Sequence, residues 1–392
     1  MTTLRDLARK GVIEFSDGYR TRRDEHASDG YRILRAGDVR DGRIYPDGPD
    51  FIGPNFARAI GAKAARVGDV VLTTKGTVGR TGLVVTLDTD VVYSPQVCFF
   101  RTDQPDVLDS RFLYHWLSSP EFVEQAGYLK SATDMAPYIS LKDLGSTRID
   151  LPPLGTQRAI AEVLGALDDK IAVNGKVIES ASDLMVVLVA SLAPNMAPVP
   201  LAELARSVKV ALAPAEMREV RHYSLPAFDA GQLPTRDSGT TILSAKLQVN
   251  EPSVLLSRLN PRIPRVWDVP QPAQPAVAST EFLVLDPDTV STGALWAALS
   301  QPSTLARLQE LARGTSGSHQ RVRPDDAMTV HLPDVRKLSA VQMKMICDLS
   351  LRRHVARSES VALAELRDTL LPHLMSGRIT VREAEKRVEE AL

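Results

Sequence analysis

Histidines, a glycine-rich segment and paired carboxylates are the residues in this 392-residue chain whose types could support catalysis or metal binding. The seven histidines include no i,i+4 pair and no His-Glu-x-x-His motif, so their spacing is not that of a zinc hydrolase. Residues 76–82 have neither the order of a phosphate-binding loop nor that of a dinucleotide-binding turn. We predict a strand-to-strand turn there, and we expect neither a catalytic site nor a metal site in the chain.

Two pairs of adjacent carboxylates also have structural explanations. Asp168 and Asp169 lie in a helical pattern, where neighbouring side chains point apart, so we predict a solvated helix face. Asp325 and Asp326 precede a short element and are predicted to cap it. Neither pair predicts general acid–base chemistry.

Composition limits the class of protein. The net charge of -1 gives no global sign of nucleic-acid binding, although local basic patches can supply the necessary field. Cys98 and Cys347 are far apart, which predicts no disulfide framework and fits a reducing cytoplasm. No run of 18 uninterrupted apolar residues occurs, so we expect no membrane span. The chain is predicted to be a soluble, cytoplasmic protein of two or three domains.

One pattern of strands followed by a long helix occurs twice, about 180 residues apart. The matched segments are residues 66–73 with 250–257, 94–100 with 279–285, and 151–154 with 332–335. Order and spacing are kept while the side chains differ. A duplicated domain with its own helix predicts a protein that binds two similar objects.

Each copy ends in a helix with a heptad pattern. In the first helix, the apolar seam from Ile160 to Leu192 lasts over four heptads and predicts a helix about 55 Å long. Asn174 lies on this seam beside Gly175, and it either fixes the register against a partner helix or marks a local break. A weaker seam begins near Val335. The predicted coiled-coil core comprises Ile160, Leu164, Leu167, Ile171, Ile178, Met185, Leu188, Met345, Leu349, Leu363, Leu366 and Leu370.

These patterns predict an α+β protein with two mixed α/β domains in a tandem pseudo-repeat, joined by two long helices that form an antiparallel coiled coil. The predicted divisions are residues 1–153 for the first domain, 154–193 for the central helix, 194–334 for the second domain, and 335–392 for the distal helix and tail.

Four segments resemble the specificity subunits of Type I restriction-modification systems. Residues 151–169, LPPLGTQRAIAEVLGALDD, and 365–379, ELRDTLLPHLMSGRI, are similar to their central and distal conserved regions. Residues 33–44, ILRAGDVRDGRI, and 131–144, SATDMAPYISLKDL, resemble the opening of the first target-recognition domain and the segment before the central helix. Residues 332–335 depart from the pattern because they lack its second proline and the following Gln-Arg pair.

This resemblance implies two target-recognition domains, each reading one half of a bipartite sequence in double-stranded DNA. It also implies that the helix pair docks two methyltransferase subunits, that a restriction-translocase subunit joins them, and that S-adenosylmethionine, ATP and magnesium belong to those partners. The alternatives are a decayed subunit acting as a coiled-coil protein scaffold, or the recognition half of a single-chain restriction-methyltransferase. The second alternative should carry an Asn/Asp-Pro-Pro-aromatic motif, whereas the chain's only Pro-Pro is Pro152-Pro153.

A DNA-binding surface needs side chains that reach the edges of the bases, and it needs Lys, Arg or backbone N–H groups that bind the phosphates. The arginines of the polar loop at residues 20–23 are equally consistent with a solvated surface. Residues 313–323 are the favoured segment, because they contain three arginines and no acid and occupy the repeat position of the loop around Thr133. Arg258, Arg262 and Arg265, which flank a proline-rich loop, are weaker candidates. The predicted DNA contacts are Arg20, Arg22, Lys75, Thr77, Arg80, Thr133, Arg258, Arg313, Ser318, His319, Gln320, Arg321 and Arg323.

Overall fold

The computed structural model of the protein describes residues 1–40, 42–130, 138–313 and 320–391, with the side chains of residues 128–130 excepted. The chain forms two compact units. Unit 1 comprises Met1–Lys170 with Leu363–Leu392, and unit 2 comprises Ile171–Ala362. Both boundaries fall inside long helices, so each unit contains one domain and a part of each helix.

The helices are α1 Leu4–Arg9, α2 Ala57–Ile60, α3 Ser110–Ser118, α4 Pro120–Lys130, α5 Leu141–Leu144, α6 Leu154–Leu192, α7 Leu225–Asp229, α8 Thr292–Leu299, α9 Pro302–Glu310, α10 Pro324–Met328, α11 Ala340–Met375 and α12 Val381–Glu389. The strands of the first domain are β1 Thr2–Thr3, β2 Ile13–Asp17, β3 His26–Ala27, β4 Tyr31–Leu34, β5 Val39–Arg40, β6 Gly42–Ile44, β7 Phe51–Ile52, β8 Val70–Thr73, β9 Thr81–Leu83, β10 Val91–Tyr93, β11 Val97–Thr102 and β12 Arg148–Ile149. Those of the second domain are β13 Pro198–Pro200, β14 Ala205–Val208, β15 Ala211–Leu212, β16 Glu219–Tyr223, β17 Thr235–Ser238, β18 Lys246–Gln248, β19 Ser253–Ser257, β20 Val266–Val269, β21 Ala276–Ala278, β22 Phe282–Pro287 and β23 His331–Pro333.

The two domains repeat one sheet topology. Antiparallel strands in the order β2-β11-β8-β9 form most of the main sheet of the first domain, and β14-β22-β19-β20 form its counterpart in the second. In the first domain, β6 extends the sheet by pairing in parallel with β9, and β5 follows at the edge. In each domain, a second sheet contains one parallel pair, β10 with β4 and β21 with β16. The predicted tandem pseudo-repeat of mixed domains is therefore confirmed.

Buried strands and one buried helix form the core of each domain. Strand β19 is buried along its whole length, as expected for a continuous apolar run in a central strand. Helix α8 is buried on every side, because it packs between this sheet and α11. The packing leaves no room at Gly293, where a Cβ atom would lie 2.8 Å from the Cβ atom of Ser350. In unit 1, α3 takes the corresponding place against the sheet.

Several apolar stretches are interrupted. A turn at residues 94–96 separates β10 from β11, and α3 ends at Ser118 before α4 begins at Pro120. Proline lacks a backbone N–H and favours the first turn of a new helix, which explains the second interruption. The distal helix begins at Ala340 rather than Val335, after a 3₁₀ turn at Val335–Lys337.

The central helix α6 continues through Gly165 and Gly175 without a break. Asn174 is 4% exposed, and its Nδ2 donates to Glu359 Oε2 of α11 at 2.8 Å. Further along, Met185 Sδ lies 3.8 Å from Arg353 Nη1. Contacts that advance along α6 thus move backward along α11, so the helices run antiparallel in unit 2. Of the two interpretations of Asn174, the structure favours register fixing.

In unit 1, an ion pair joins the same two helices. Arg367 Nη1 on α11 donates to Asp168 Oδ1 on α6 at 2.7 Å. The prediction of a solvated face is therefore wrong for Asp168, which is mostly buried, and burial raises the pKa of its carboxyl group. Its neighbour Asp169 is exposed and binds Arg43 at 3.0 Å, so adjacent carboxylates do point apart.

The predicted coiled-coil residues differ in burial. Buried members are Ile160, Leu164, Leu167, Met185, Leu363 and Leu370, and half-buried members are Ile171, Ile178, Leu188, Leu349 and Leu366. The prediction for Met345 is wrong, because its side chain is 45% exposed.

The inward face of α11 near Met345 instead passes through Ile346, Ser350 and Arg353. Arg353 lies 3.8 Å from Asp268 Oδ2, and its guanidinium group stacks 3.8 Å from the centre of the Trp296 ring. This part of α11 therefore packs against the second domain through polar side chains. An apolar heptad pattern does not identify such a face.

Among the described residues, one helical stretch, Leu154–Asn195, is long and apolar enough to cross a membrane by length and composition alone, with a mean hydropathy of 1.6 over 18 residues. The prediction of no membrane span counted only uninterrupted apolar runs and did not anticipate this stretch. Core helices of soluble proteins meet the same criteria, so the criteria alone are weak evidence. The buried contact between Asn174 and Glu359 shows that part of this stretch faces protein.

Removal of the Arg367 guanidinium should destabilise the protein strongly. The Arg367→Met variant leaves the mostly buried Asp168 carboxylate without its cation, and we expect the free energy of unfolding to fall by about 2–3 kcal/mol in urea titrations. Adding Asp168→Asn should restore part of the loss, because the unpaired charge is then removed. The control is Arg378→Met at an exposed position. Equal losses for both arginine variants would contradict the role of the ion pair.

His115 should make the stability of the protein sensitive to acid. Burial, together with the nearby cations Arg367 and Arg111, lowers the pKa of its imidazole from 6.5 to about 3. Because the folded-state pKa is depressed, only the unfolded state binds the proton below pH 6.5, and stability is lost as the pH falls through that range. Between pH 7.5 and 5.5, wild type should lose about 1.4 kcal/mol more unfolding free energy than His115→Gln. Parallel pH profiles of the two proteins would contradict this assignment.

Candidate nucleic-acid interface

In the first domain, predicted DNA-contacting loops meet at one end of the main sheet. The turn at residues 94–96, between β10 and β11, lies at their centre. The backbone N–H of Tyr19 donates to the Tyr93 carbonyl at 2.7 Å, and that of Thr74 donates to the Gln96 carbonyl at 2.8 Å. The loop carrying Arg20 and Arg22 and the glycine-rich loop therefore lie against the same turn.

A third chain segment joins this end of the domain. The N–H of Ile139 donates to the Thr74 carbonyl at 2.9 Å, and Lys75 forms an antiparallel bridge with Tyr138. The chain that follows residues 131–137 thus runs directly beside the glycine-rich loop. Thr133 itself lies outside the described residues.

The glycine-rich loop is a tight hairpin between β8 and β9, as predicted. Its two ends are joined by the Thr73 N–H, which donates to the Arg80 carbonyl at 2.8 Å, and by the Arg80 N–H, which donates to Thr73 Oγ1 at 2.9 Å. Gly76 and Gly79 have φ values of 78° and 95°, a left-handed conformation that glycine adopts without strain. Lys75, Thr77 and Arg80 are exposed on this hairpin.

A buried carboxylate, that of Glu25, fixes the backbone of the loop that carries Arg20 and Arg22. Glu25 is 5% exposed and accepts hydrogen bonds from the Tyr19 hydroxyl at 2.9 Å and from the Arg22 N–H at 2.8 Å. The side chains of Arg20 and Arg22 remain exposed. The loop therefore presents cations to solvent from an ordered backbone.

The second domain repeats the loop frame of the first, meaning the two hydrogen bonds made by the backbone of Thr74 and the bridge made by Lys75. The Arg258 N–H donates to the Glu281 carbonyl at 2.8 Å, as Thr74 does to Gln96. The Val322 N–H donates to the Arg258 carbonyl at 3.0 Å, as Ile139 does to Thr74. An antiparallel bridge between Leu259 and Arg321 corresponds to that between Lys75 and Tyr138. Arg321 and Val322 therefore take the place of Tyr138 and Ile139, and for these described residues the predicted repeat position agrees with the contacts.

In the second domain, three of the four arginines predicted to contact DNA have side-chain partners within the protein. Arg321 makes two hydrogen bonds to Glu281, at 2.8 and 3.0 Å, and this contact lowers the pKa of the carboxyl group. Arg313 lies 3.4 Å from Asp326. Arg258 donates to the carbonyls of Val322 and Thr280 at 3.3 Å, and so braces the frame. The segment has no acid of its own, but the fold brings acids to it from elsewhere in the chain.

Other cations at this end of the second domain are exposed and form no ion pair within the described residues. Arg323 precedes α10, and Arg262 lies at the tip of the loop between β19 and β20. Gln320 is half-buried, and its carbonyl accepts from the Asn260 N–H at 2.8 Å. Ser318 and His319 lie outside the described residues.

The structure alters the list of candidate DNA contacts at two residues of the β19–β20 loop. Arg265, a weaker sequence candidate, is bound by Asp229 at 2.7 and 2.8 Å, so its guanidinium group is committed to the fold. Ile263, which sequence reasoning missed, is 53% exposed at the loop tip. The nearby Pro261 and Pro264 were the available signal, since proline fixes its own φ angle and restricts the backbone of the residue before it, which is Ile263 for Pro264.

The described part of the chain contains no group of three His, Cys, Asp or Glu residues arranged to hold a metal ion. What the site offers instead is exposed cations and polar groups on ordered loops. Cations attract a phosphate backbone, and ordered loops can place side chains at base edges.

Comparison with known proteins agrees with this arrangement. Residues 7–181 match the family described as "Type I restriction modification DNA specificity domain". The chain is 25% identical over 173 residues to the Type I restriction enzyme MjaVIII specificity subunit of Methanocaldococcus jannaschii, a match that covers 43% of this chain and 40% of that protein. The chain therefore aligns with less than half the length of this curated relative.

The fold is that of a solved structure. The crystal structure of a Type I restriction-modification system S subunit from M. genitalium has a TM-score of 0.58 and 17% sequence identity, and the match covers 95% of this chain and 94% of that one. At this identity the likeness concerns the fold alone. Residues 7–181 therefore match a Type I restriction modification DNA specificity domain, and the chain shares the fold of this S subunit over 95% of its length.

Proposed function

We propose that this chain is the DNA-recognition subunit of a Type I restriction-modification complex, in which each domain reads one half of a bipartite double-stranded target. The main support is that the same backbone contacts hold the loops at one end of both domains, while the sequences of those loops differ. A repeated frame is suited to two similar segments of duplex, and different loops are suited to different base sequences.

The proposed subunit is not an enzyme, and its partners supply the chemistry. Two methyltransferase subunits and a restriction-translocase subunit would join it, and they would bind S-adenosylmethionine, ATP and magnesium. The family description, which names a DNA specificity domain, supports this division of labour.

We propose the exposed apolar surface of the helix pair as the docking site for methyltransferase. On α6, Val173, Leu184 and Val187 are 48–60% exposed, and their spacing places them on one helix face. On α11, Val341 and Val355 are 74% and 55% exposed. Exposed apolar surface of this extent on long helices is typical of an interaction site.

The DNA-recognition proposal predicts separate phosphate contacts from each domain. In salt titrations of DNA binding by the reconstituted complex, Lys75→Ala and Arg323→Ala should each reduce the slope of log affinity against log salt by about one, because one phosphate contact is lost. Arg66→Ala is the matched control, since Arg66 is exposed before β8, at the other end of that strand from Lys75. Unchanged slopes in both test variants would count against this interface.

The docking proposal predicts that Leu184→Asp weakens methyltransferase binding at least about tenfold, because an unpaired carboxylate would be buried in the interface. Association can be measured by sedimentation of the mixed subunits. The control is Leu243→Asp, since Leu243 is 94% exposed in the second domain and lies outside the helices. Equal affinities for Leu184→Asp and wild type would place the docking site elsewhere.

A further inference from the structure

We propose that Ile263, at the tip of the β19–β20 loop, packs against the C5 methyl group of a thymine in the half-site read by the second domain. This inference rests on the proposed DNA-recognition function and adds a named specificity contact to it. It is based on the exposed apolar side chain of Ile263. Hydrogen bonds fix both sides of the loop that carries it, and exposed arginines lie nearby.

The first limb of the loop is fixed to a neighbouring segment. Leu259 forms an antiparallel bridge with Arg321, and the Asn260 N–H donates to the Gln320 carbonyl at 2.8 Å. Asn260 adopts a left-handed conformation, with φ of 49°, and its carbonyl accepts from the Ile263 N–H at 2.9 Å. These contacts fold the tip into a closed turn.

The second limb is fixed on the other side. The Ser257 N–H donates to the Arg265 carbonyl at 2.9 Å. The Arg265 side chain is 13% exposed and holds Asp229 through two hydrogen bonds, while its Nη1 lies 3.4 Å from the Ile263 carbonyl. Pro261 is buried as well, so the loop has little freedom to withdraw Ile263 from solvent.

A single exposed apolar residue is ordinary on a protein surface. Ile263 differs because rigid limbs hold it at the end of the domain that carries the DNA-binding frame, beside the exposed guanidinium of Arg262. In the major groove, the thymine methyl group is the apolar feature at a base edge, and an adjacent cation fits a phosphate. The chemistry of the tip therefore matches a thymine flanked by the DNA backbone.

The corresponding loop of the first domain has different chemistry. Its tip carries Gly76, Thr77 and Gly79, and its apolar residue, Val78, is half-buried. The same position in the frame thus offers an apolar contact in one domain and a polar, glycine-rich turn in the other. The thymine contact is accordingly assigned to one half-site only.

The test uses uracil, which pairs as thymine does but lacks the C5 methyl group. Each thymine of the complex's mapped target is replaced in turn, and affinity is measured for the methyltransferase complex containing the full chain. For wild type, one replacement in one half-site should weaken binding about fourfold, as expected for one buried methyl group. For Ile263→Ala, that replacement should have no effect. Val67→Ala, at a 64% exposed valine before β8, should behave as wild type.

The possible outcomes separate this inference from the proposed function. A wild-type complex that binds a bipartite site but shows no uracil-sensitive thymine, or a target half-site without thymine, overturns the Ile263 contact alone. Sensitivity that persists in Ile263→Ala assigns the thymine to another residue and also overturns it. A wild-type complex that binds no bipartite site removes the proposed function, and this inference with it.

Discussion

The fold depends on polar contacts that fix how α11 packs against α6. A coiled coil made only of apolar residues can slide by a heptad, whereas a buried polar pair has one favourable alignment. In unit 2, Asn174 meets Glu359, and in unit 1, Asp168 meets Arg367. Both pairs connect residues more than 180 positions apart, so they align the end of the chain with its middle. Each unit contains one domain together with its own part of the two helices.

On each domain, the same backbone frame carries loops of different chemistry. The frame uses main-chain hydrogen bonds, from Thr74 to Gln96 and from Arg258 to Glu281, so it does not depend on the identity of the side chains. The loops it supports can therefore diverge without loss of the fold. One is a glycine hairpin with exposed Lys75, and the other is a proline-stiffened loop with exposed Ile263. Divergence within a fixed frame is what two readers of different half-sites require.

Periodicity and repeat order were sufficient to predict the duplicated domains and the long helices, because both depend on apolar spacing. They could not predict the face of α11 that packs on the second domain, since Ser350 and Arg353 are polar and their partners Asp268 and Trp296 are far away in sequence. The same limit affected the candidate interface. The sequence of residues 313–323 shows free arginines, but pairing of Arg321 with Glu281 depends on the tertiary fold.

The most direct test of the central claim is genome-wide mapping of the bases methylated by a complex reconstituted from this chain and the proposed methyltransferase partner. Two domains that each read one half-site predict a split motif, with two short specified sequences separated by a constant number of unspecified base pairs. The motif should be absent when this chain is omitted. A continuous motif, or the same methylated sites with and without this chain, would contradict the account.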